Sequence, residues 1–443
     1  MAATTPPPSE AGANALAALA GMGLAAVIAL TLSTESLTAL HAHGEPLIAL
    51  GRLAGMVAAY SMLVLVLLVA RLPVIERVAG HDQLIAWHRT LGPWPLYLVT
   101  GHGILITLGY AQQAKAGPLR QFWTLLSTYP GVLAGTAAFV LLTAAGVTSY
   151  RKARRRLAYE TWWAVHLYTY LALFLAFSHQ TATGAPFVGH PLARGAWTAL
   201  WIAGAALVVG YRVVVPLWRT LRHRPRIVAV EHDAPGVATI VVGGRHLDRL
   251  PVTGGQFVQW RVLRPGLWWQ AHPYSLSGLP GPDGLRLTVK DLGDHSRALA
   301  GLTPGTRLAI EGPYGAFTHH ARRGDAVLLV GAGVGVAPLH ALLQDLPAGI
   351  DVEMLARAST RDELVLRDDV RRAVAARGGR LHELVGPRET VALDAAALTR
   401  RVPDLADRDV YVCGPEGFMR TVMTSVAAAG VPDERIHREV FAF

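Results

Sequence analysis

Between Ala15 and Leu217 the apolar residues come in uncharged runs of roughly twenty. From His223 to Phe443 they come in short clusters broken by Gly, Pro and charged residues. Runs of the first kind suit helices that cross a hydrocarbon core about 30 Å thick, at about 1.5 Å rise per residue. Six are found, near Ala15–Leu32, Leu47–Ala70, Leu84–Leu108, Tyr129–Tyr150, Thr161–Phe177 and Gly195–Leu217. The pattern predicts an all-α six-helix transmembrane bundle over residues 15–222. It follows a Pro/Ser/Ala-rich tail at residues 1–14, which is expected to be disordered and has no basic stretch of the kind that opens a cleaved signal peptide.

Beyond the bundle the period changes. Over residues 223–323 the β-rich runs Arg226–Glu231, Val237–Val242, Gln256–Val262, Leu285–Lys290 and Arg307–Glu311 alternate with Gly/Pro turns, which predicts a small antiparallel β-barrel. Residues 324–443 read as an α/β domain on a parallel sheet. The strand Ala326–Val330 there leads through a glycine-rich turn into a helix to Leu343, and Asp351–Leu355 and Val410–Val412 are further strands.

Composition sharpens this picture. The 443 residues are 52% hydrophobic, and the net charge of +10 comes from basic residues clustered between the apolar runs, as in Arg151-Lys152-Ala153-Arg154-Arg155-Arg156 and Arg219–Arg226. Such placement indicates topology rather than a nucleic-acid partner. With the segments after runs two, four and six on the inside, the N-terminus and the C-terminal domains are cytoplasmic and the chain is a multi-pass protein of the cell membrane. Cys413 is the single cysteine, so neither an internal disulfide nor a four-thiolate iron–sulfur cluster can form.

Ionisable residues inside apolar spans are functional suspects, because lipid makes them costly. Span three holds His88 and His102, and span five holds His166 with His179 at its far end. The intervals of fourteen and thirteen residues separate each pair by roughly 20 Å along a helix. Two levels result, His88 with His166 near the cytoplasm and His102 with His179 near the outside. Each offers two imidazoles, the axial set of a low-spin haem. Fourteen residues bring His102 back to nearly the face of His88, whereas thirteen leave His179 well off the face of His166. Span five is therefore expected to bend, tighten or present its rings differently.

This histidine pattern, with Trp87-His88-Arg89-Thr90-Leu91-Gly92, Gly101-His102-Gly103 and Trp163-Ala164-Val165-His166 around it, resembles the ferric reductase-like transmembrane domain shared by NADPH oxidases and ferric reductases. The resemblance implies two stacked b-type haems on the four histidines. Arg52, at the outer start of span two, is a candidate partner for an outer-haem propionate; a snorkelling interfacial arginine is an equal alternative.

The soluble half adds two motif sets. His272-Pro273-Tyr274-Ser275-Leu276-Ser277 is similar to the flavin motif of the ferredoxin–NADP reductase family. By that resemblance Tyr274 packs on the isoalloxazine of FAD, Ser275 bonds near its reactive nitrogen, and His272 serves the ribityl–phosphate side. Lys290 and Gly293-Asp294-His295-Ser296 then lie at the FAD pyrophosphate, and Gly312-Pro313-Tyr314-Gly315 closes the barrel. Gly331-Ala332-Gly333-Val334-Gly335-Val336-Ala337-Pro338 resembles that family's nucleotide loop, where backbone N–H groups and a helix start receive a diphosphate. Arg357-Ala358-Ser359-Thr360-Arg361 offers cations and hydroxyls to a 2′-phosphate, which favours NADPH over NADH; pairing of Arg361 with Asp362 or Glu363 is the alternative. Cys413-Gly414-Pro415 is similar to the nicotinamide-side segment, with Cys413 beside the hydride path and not a nucleophile, and the terminal Phe443 is a candidate shield over the flavin.

Together these imply a flavohaem oxidoreductase carrying electrons from NADPH through FAD and two b-type haems to dioxygen, giving superoxide, or to ferric iron. A subunit feeding a partner protein or quinone is one alternative. A histidine-relay transporter with a regulatory nucleotide domain is another, disfavoured because spans three and five lack carboxylates. A homo-oligomer or an accessory membrane subunit is left open.

Overall fold

The computed structural model describes residues 10–35, 42–154, 156–157, 159–282, 284–291, 296, 299 and 301–439. The chain divides after Val213 into a helical unit and a mixed α/β unit.

The helical unit contains α1 (Glu10–Ser33), α2 (Glu45–Leu68), α3 (Pro73–Ala79), α4 (His81–Leu91), α5 (Pro93–Gln113), α6 (Pro118–Thr128), α7 (Val132–Ser149), α8 (Arg151–Arg154), α9 (Tyr159–Thr183) and α10 (Pro191–Val209). Among the described residues, four helical stretches are long and apolar enough to cross a membrane, Ala11–Ser33, Glu45–Leu68, Val132–Ser149 and Pro191–His223. The helices at expected spans three and five, α5 and α9, have 21 and 25 residues but stand outside that set. Their histidines, tyrosines, tryptophans and threonines dilute the apolar content, so four of the six expected spans meet the criterion.

Span three is also not one helix. It breaks between α4 and α5 at Gly92-Pro93, where Pro93 and Pro95 lack the N–H groups that would continue the ladder onto Arg89 and Leu91. Span five, by contrast, is a single helix, α9, that runs unbroken through both of its histidines.

Glycines set how closely two helix pairs approach. On α2, a Cβ at Gly51 would stand 3.0 Å from Ile106 of α5, and one at Gly55 would stand 2.7 Å from the His102 ring. On the other pair, Gly131 and Gly135 lie against His179 of α9, at 2.9 and 3.0 Å for an added Cβ. Both are small-xxx-small spacings, which let helix backbones meet where lipid supplies no hydrophobic drive.

The mixed unit opens with α11 (Val215–His223), followed by β1 (Arg226–Ala234), β2 (Val237–Gly243), β3 (Phe257–Val262), β4 (His272–Ser275), β5 (Leu285–Lys290) and β6 (Leu308–Tyr314). Side chains of β3 and β6 alternate between buried and half-buried, the period of a sheet with one covered face. Their inner residues Val258, Trp260, Val262, Leu308 and Ile310 pack against Ile240, Leu285 and Leu287.

No closed barrel forms among the described residues. There are two three-stranded antiparallel sheets, β1-β2-β5 and β4-β3-β6, and each seam carries an isolated bridge, Arg226↔Arg307 or Leu276↔Leu287. At one seam the four-residue β4 includes Pro273, which has no N–H to donate to a neighbour. α11 docks on this domain, with Arg219 donating to the Gly312 carbonyl, Thr220 Oγ1 accepting from the Ile310 N–H at 3.2 Å, and His223 Nδ1 2.9 Å from the Arg245 carbonyl.

Next come β7 (Ala326–Ala332), α12 (Val336–Asp345), β8 (Asp351–Ala358), α13 (Arg367–Ala376), β9 (Arg380–Val385), α14 (Ala395–Arg401), β10 (Asp409–Cys413), α15 (Glu416–Ala428) and β11 (Ile436–Glu439). The sheet is parallel in the order β11-β10-β7-β8-β9. β7 and β10 are near-continuously apolar because helices cover both faces. The order reverses between β7 and β10, the switch point beside which open α/β sheets bind ligands.

At the opposite, N-terminal end of these strands, Asp409 of β10 fixes the segment between the two domains. Its fully buried carboxylate accepts from His437 Nε2 at 2.9 Å and from the backbone N–H groups of Arg323 and Gly324 at 3.0 and 2.8 Å. Burial pushes this carboxyl's pKa up, but the His437 bond and the two N–H groups outweigh that and hold it below the usual range. A depressed folded-state pKa adds stability that is complete above the unfolded value of about 4 and is lost as the pH falls through the folded value. Asp409→Asn is therefore expected to cost about 3–5 kcal/mol at neutral pH and to lose this acid dependence, read by denaturant titration of the full chain with flavin release as the signal. An unchanged midpoint would contradict the role.

Candidate cofactor and nucleotide sites

In the helical unit the four histidines meet as two pairs. The rings of His88 (α4) and His166 (α9) have centroids 6.2 Å apart, and those of His102 (α5) and His179 (α9) are 6.1 Å apart. The two pairs therefore occupy separate levels along α9, thirteen residues apart.

Every one of these rings has a partner at Nδ1. His88 Nδ1 is 3.0 Å from the Leu65 carbonyl and His102 Nδ1 is 2.8 Å from the Gly51 carbonyl. Leu65 and Gly51 lie on α2 at the same fourteen-residue interval as the two histidines, so one helix supplies both acceptors. His166 Nδ1 is 3.5 Å from Ser149 Oγ, and His179 Nδ1 is 3.2 Å from Thr183 Oγ1. A carbonyl acceptor fixes the proton on Nδ1 and leaves the Nε2 lone pair for a metal, the arrangement usual for ligating histidine.

A metal ion bound to two imidazole nitrogens at about 2 Å each sets the ring centres about 6 Å apart, so both pairs fit one iron between them. Among the described residues no group of three or more His, Cys, Asp or Glu is placed to hold a metal, which leaves pairwise ligation. A cavity of about 1000 Å³, mostly apolar, adjoins His102 and His179 and is also lined by Arg52, Gly55, Gly103 and Gly135. A Cβ at Gly103 would meet nothing within 4 Å. Space of this size beside an imidazole pair is at the large end for small-molecule sites and suits a flat macrocycle.

Arg52 is not a free cation. It bonds Glu35 at 3.1 Å and lies 3.6 Å from Glu45, and Glu45 in turn accepts from Gln113 at 2.7 Å. Two carboxylates thus offset the charge at this edge of the cavity.

In the mixed unit β4 carries the expected flavin residues in register with β3: His272 opposite Trp260, Pro273 opposite Gln259, Tyr274 opposite Val258 and Ser275 opposite Phe257. Burial raises the Tyr274 phenol pKa above its usual value, so it stays a neutral donor. Lys290 ends β5 exposed, and Ser296 is in a helical segment. Gly293, His295 and Phe443 lie outside the described residues. Gly312, on β6, accepts from Arg219.

The nucleotide loop follows β7. Gly331, Cys413 and Glu439 form one row across β7, β10 and β11. Gly333 has φ +54, and a Cβ at Gly335 would stand 2.3 Å from the Cys413 carbonyl. The loops after β7 and β10 therefore approach as closely as glycine permits. Pro338 lies in the first turn of α12, where no N–H is needed, and Gly414-Pro415 lead into α15. Burial, and then the charge of Glu439, raise the Cys413 thiol pKa well above its usual value. A protonated, enclosed thiol is no nucleophile.

Of the two arginines after β8, Arg357 donates to the carbonyls of Ala358, Leu384 (3.3 Å) and Gly386 (2.6 Å). Arg361 is exposed and pairs with neither Asp362 nor Glu363; Glu363 accepts instead from the Ser359 N–H at 3.1 Å. Sequence reasoning missed the acceptors Gly51, Leu65, Ser149 and Thr183. Only Gly51 carried a signal, in the Gly51-xxx-Gly55 spacing beside His102; the Leu65 carbonyl and the Ser149 and Thr183 hydroxyls carried none.

Two family models match. Residues 54–177 match the ferric reductase like transmembrane component, a span holding His88, His102 and His166, and residues 238–318 match an FAD-binding domain. The chain is a ferric reductase-like transmembrane domain fused to an FAD-binding reductase module. This is the arrangement of a ferric reductase/NADPH oxidase-like fusion. It is 28% identical over 241 residues to an NADPH oxidoreductase of Mycobacterium tuberculosis, covering 51% of this chain and 62% of the relative. It is 33% identical over 227 residues to a flavohemoprotein of Bordetella pertussis, covering 45% and 54%. A further relative is the ferredoxin reductase component of a 3-ketosteroid-9-alpha-monooxygenase of Mycolicibacterium smegmatis, 31% identical and covering 48% and 63%. The fusion therefore spans between 54% and 63% of the length of these relatives. Among solved structures, the FAD/NAD binding domain of nitric oxide dioxygenase from Vibrio cholerae matches with TM-score 0.40 at 24% identity, over 50% of this chain and 99% of that one. The ferredoxin reductase in carbazole 1,9a-dioxygenase matches with TM-score 0.42 at 18% identity, over 50% and 69%.

Gly55→Val and Gly135→Val drive a side chain into the His102 and His179 rings. Each is expected to lower the haem-to-flavin ratio of the purified protein by about half, through loss of one ligand pair. Gly21→Ala, whose Cβ meets nothing within 4 Å, serves as control. An unchanged ratio in both valine variants would show that these rings hold no haem.

Proposed function

We propose that this membrane oxidoreductase carries electrons from cytoplasmic NADPH through FAD and two b-type haems to an acceptor outside the cell membrane, dioxygen or a small ferric complex. The observation that carries the reading is the pair of two-imidazole sites at separate levels, each with Nδ1 engaged and a ring separation fitting one iron. When bound, the flavin divides a hydride's two electrons into single ones and the haems relay them, which is cofactor chemistry needing no protein nucleophile.

The chain's own residues bind, orient and exclude. His88 with His166 holds the inner haem and His102 with His179 the outer one, on α4, α5 and α9 of a six-span bundle. The basic segments after spans two, four and six keep the N-terminus and the reductase domains in the cytoplasm. Tyr274 and Ser275 would hold the flavin ring, and His272, Pro273, Lys290, Gly293, His295, Ser296 and Gly312 would hold its ribityl and phosphate groups. Gly331, Gly333, Gly335 and Pro338 receive the NADPH diphosphate, while Cys413, Gly414 and Pro415 flank its nicotinamide. Phe443 would serve as the shield over the flavin ring. Arg52, offset by Glu35 and Glu45, orders the outer edge of the cavity rather than drawing anions to it over a distance.

Anaerobic NADPH is expected to bleach the flavin and then reduce both haems of the purified full chain. Dioxygen or a ferric chelate should next restore the oxidised spectrum, with superoxide formed in the first case. Flavin bleaching with haem left oxidised would defeat the relay. Reoxidation only by a quinone or a partner protein would defeat the acceptor assignment.

A further inference from the structure

The helix α11 is amphipathic with its faces reversed. Its polar residues Arg219, Thr220 and His223 turn toward the FAD-binding domain, where they bond Gly312, Ile310 and Arg245. Val214, Leu217, Trp218 and Leu221 recur at helical spacing and form one stripe on the other side. All four are 54–63% exposed. A helix on a water-soluble domain buries its apolar stripe and turns the polar one outward. An exposed apolar row therefore marks a surface that something else covers. Length, helix geometry and charge say what covers it. The helical stretch Pro191–His223 has 33 residues, about 50 Å at the usual rise. A hydrocarbon core is about 30 Å thick, and about 40–45 Å with its headgroups, so the last turns of this stretch fall at the headgroup layer. The π-helical turn Gly210–Val214 and then Pro216 precede and open α11, and both are features that let a helix change direction. No Asp or Glu occurs from Pro191 to Val230, whereas Arg222 and Arg224 are exposed. The Arg222 guanidinium lies 5.3 Å from the Trp218 ring centre, at the edge of the stripe.

We infer that α11 is an interfacial helix whose apolar stripe inserts into the cytoplasmic leaflet while Arg222 and Arg224 hold anionic lipid headgroups, so that the FAD-binding domain is seated on the bilayer through it. Tryptophan and leucine toward the acyl chains with arginine at the headgroups is the composition of such helices, and the cytoplasmic leaflet carries the anionic lipid. The bonds of Arg219, Thr220 and His223 fix the roll of the helix, which keeps the apolar stripe facing outward. The inference rests on the membrane orientation proposed above and not on the electron relay.

The test uses the full chain in nanodiscs of phosphatidylcholine alone or of equal parts phosphatidylcholine and phosphatidylglycerol. A nitroxide is attached at Leu217→Cys, at Leu221→Cys or, as control, at Ala375→Cys, an exposed position of α13. The buried, protonated Cys413 thiol does not label. Electron paramagnetic resonance then reads collisions with oxygen, which partitions into lipid, and with a neutral nickel chelate, which stays in water. In the anionic discs the oxygen-to-chelate ratio at Leu217→Cys and Leu221→Cys is expected to exceed that at Ala375→Cys about tenfold or more, since burying one leucine already favours insertion by such a factor. Neutral discs should lower the ratio at Leu221→Cys by up to about fivefold for each arginine. Adding Arg222→Gln and Arg224→Gln should remove that dependence on lipid charge with flavin content unchanged. Chelate access at both α11 positions equal to that of the control would leave the stripe in water, and low access to both probes would cover it with protein. Either result overturns the inference, as does a ratio indifferent to lipid charge when both arginines are present. Labelling of Ala375→Cys by an impermeant maleimide on intact cells would instead defeat the cytoplasmic orientation on which the choice of leaflet rests.

Discussion

Four imidazoles set among apolar helices impose the governing constraint on the helical unit. Each brings an N–H that lipid and aliphatic side chains cannot satisfy, and an unmet donor there costs several kcal/mol (roughly 2–7). The chain answers with fixed partners: Gly51 and Leu65 of the neighbouring α2 for His102 and His88, Ser149 at the end of α7 for His166, and Thr183, one turn further along α9 itself, for His179. These bonds require α2 to lie close against α4 and α5, which in turn demands glycine at positions 51 and 55. The Gly131/Gly135 pair meets the same demand beside His179. Ring orientation, helix spacing and glycine placement are thus one requirement seen at three scales, and the free Nε2 atoms are its chemical product.

The nucleotide domain shows an analogous economy of space. The row Gly331–Cys413–Glu439 crosses the sheet where strand order reverses, and Gly335 lets two loops close to a distance that no side chain tolerates. The crevice there is bounded by backbone rather than by reactive side chains. This agrees with a reaction whose chemistry belongs to the cofactors and whose protein contribution is placement. The buried thiol of Cys413, held protonated, fits that division.

Much of this was legible in the sequence, for physical reasons that differ along the chain. The four histidines stood out because ionisable groups within apolar runs are rare, and the strand-to-helix glycine turn after Val330 stood out because few other contexts need such residues. The strand positions followed from short β-rich runs between Gly/Pro turns, as in Gln256–Val262 and Arg307–Glu311. The break at Gly92-Pro93 was readable in the prolines but was overridden by the length of the apolar run. The open seams of the expected barrel depend in part on the short, proline-bearing β4, which was read as a motif and not as a strand. Partners such as the Leu65 carbonyl were illegible, since a backbone acceptor leaves no residue-type signature. For the same reason Arg357 read as an anion ligand, although its donors go to main-chain oxygens.

The central claim is that each histidine pair holds one haem. The haem-to-flavin stoichiometry of the fully loaded full-length protein, combined with low-temperature electron paramagnetic resonance, tests it most directly. Two b-type haems per FAD are expected, both low-spin and six-coordinate, as two axial imidazoles require. A single haem, no haem, or a high-spin five-coordinate signal at full loading would contradict the account.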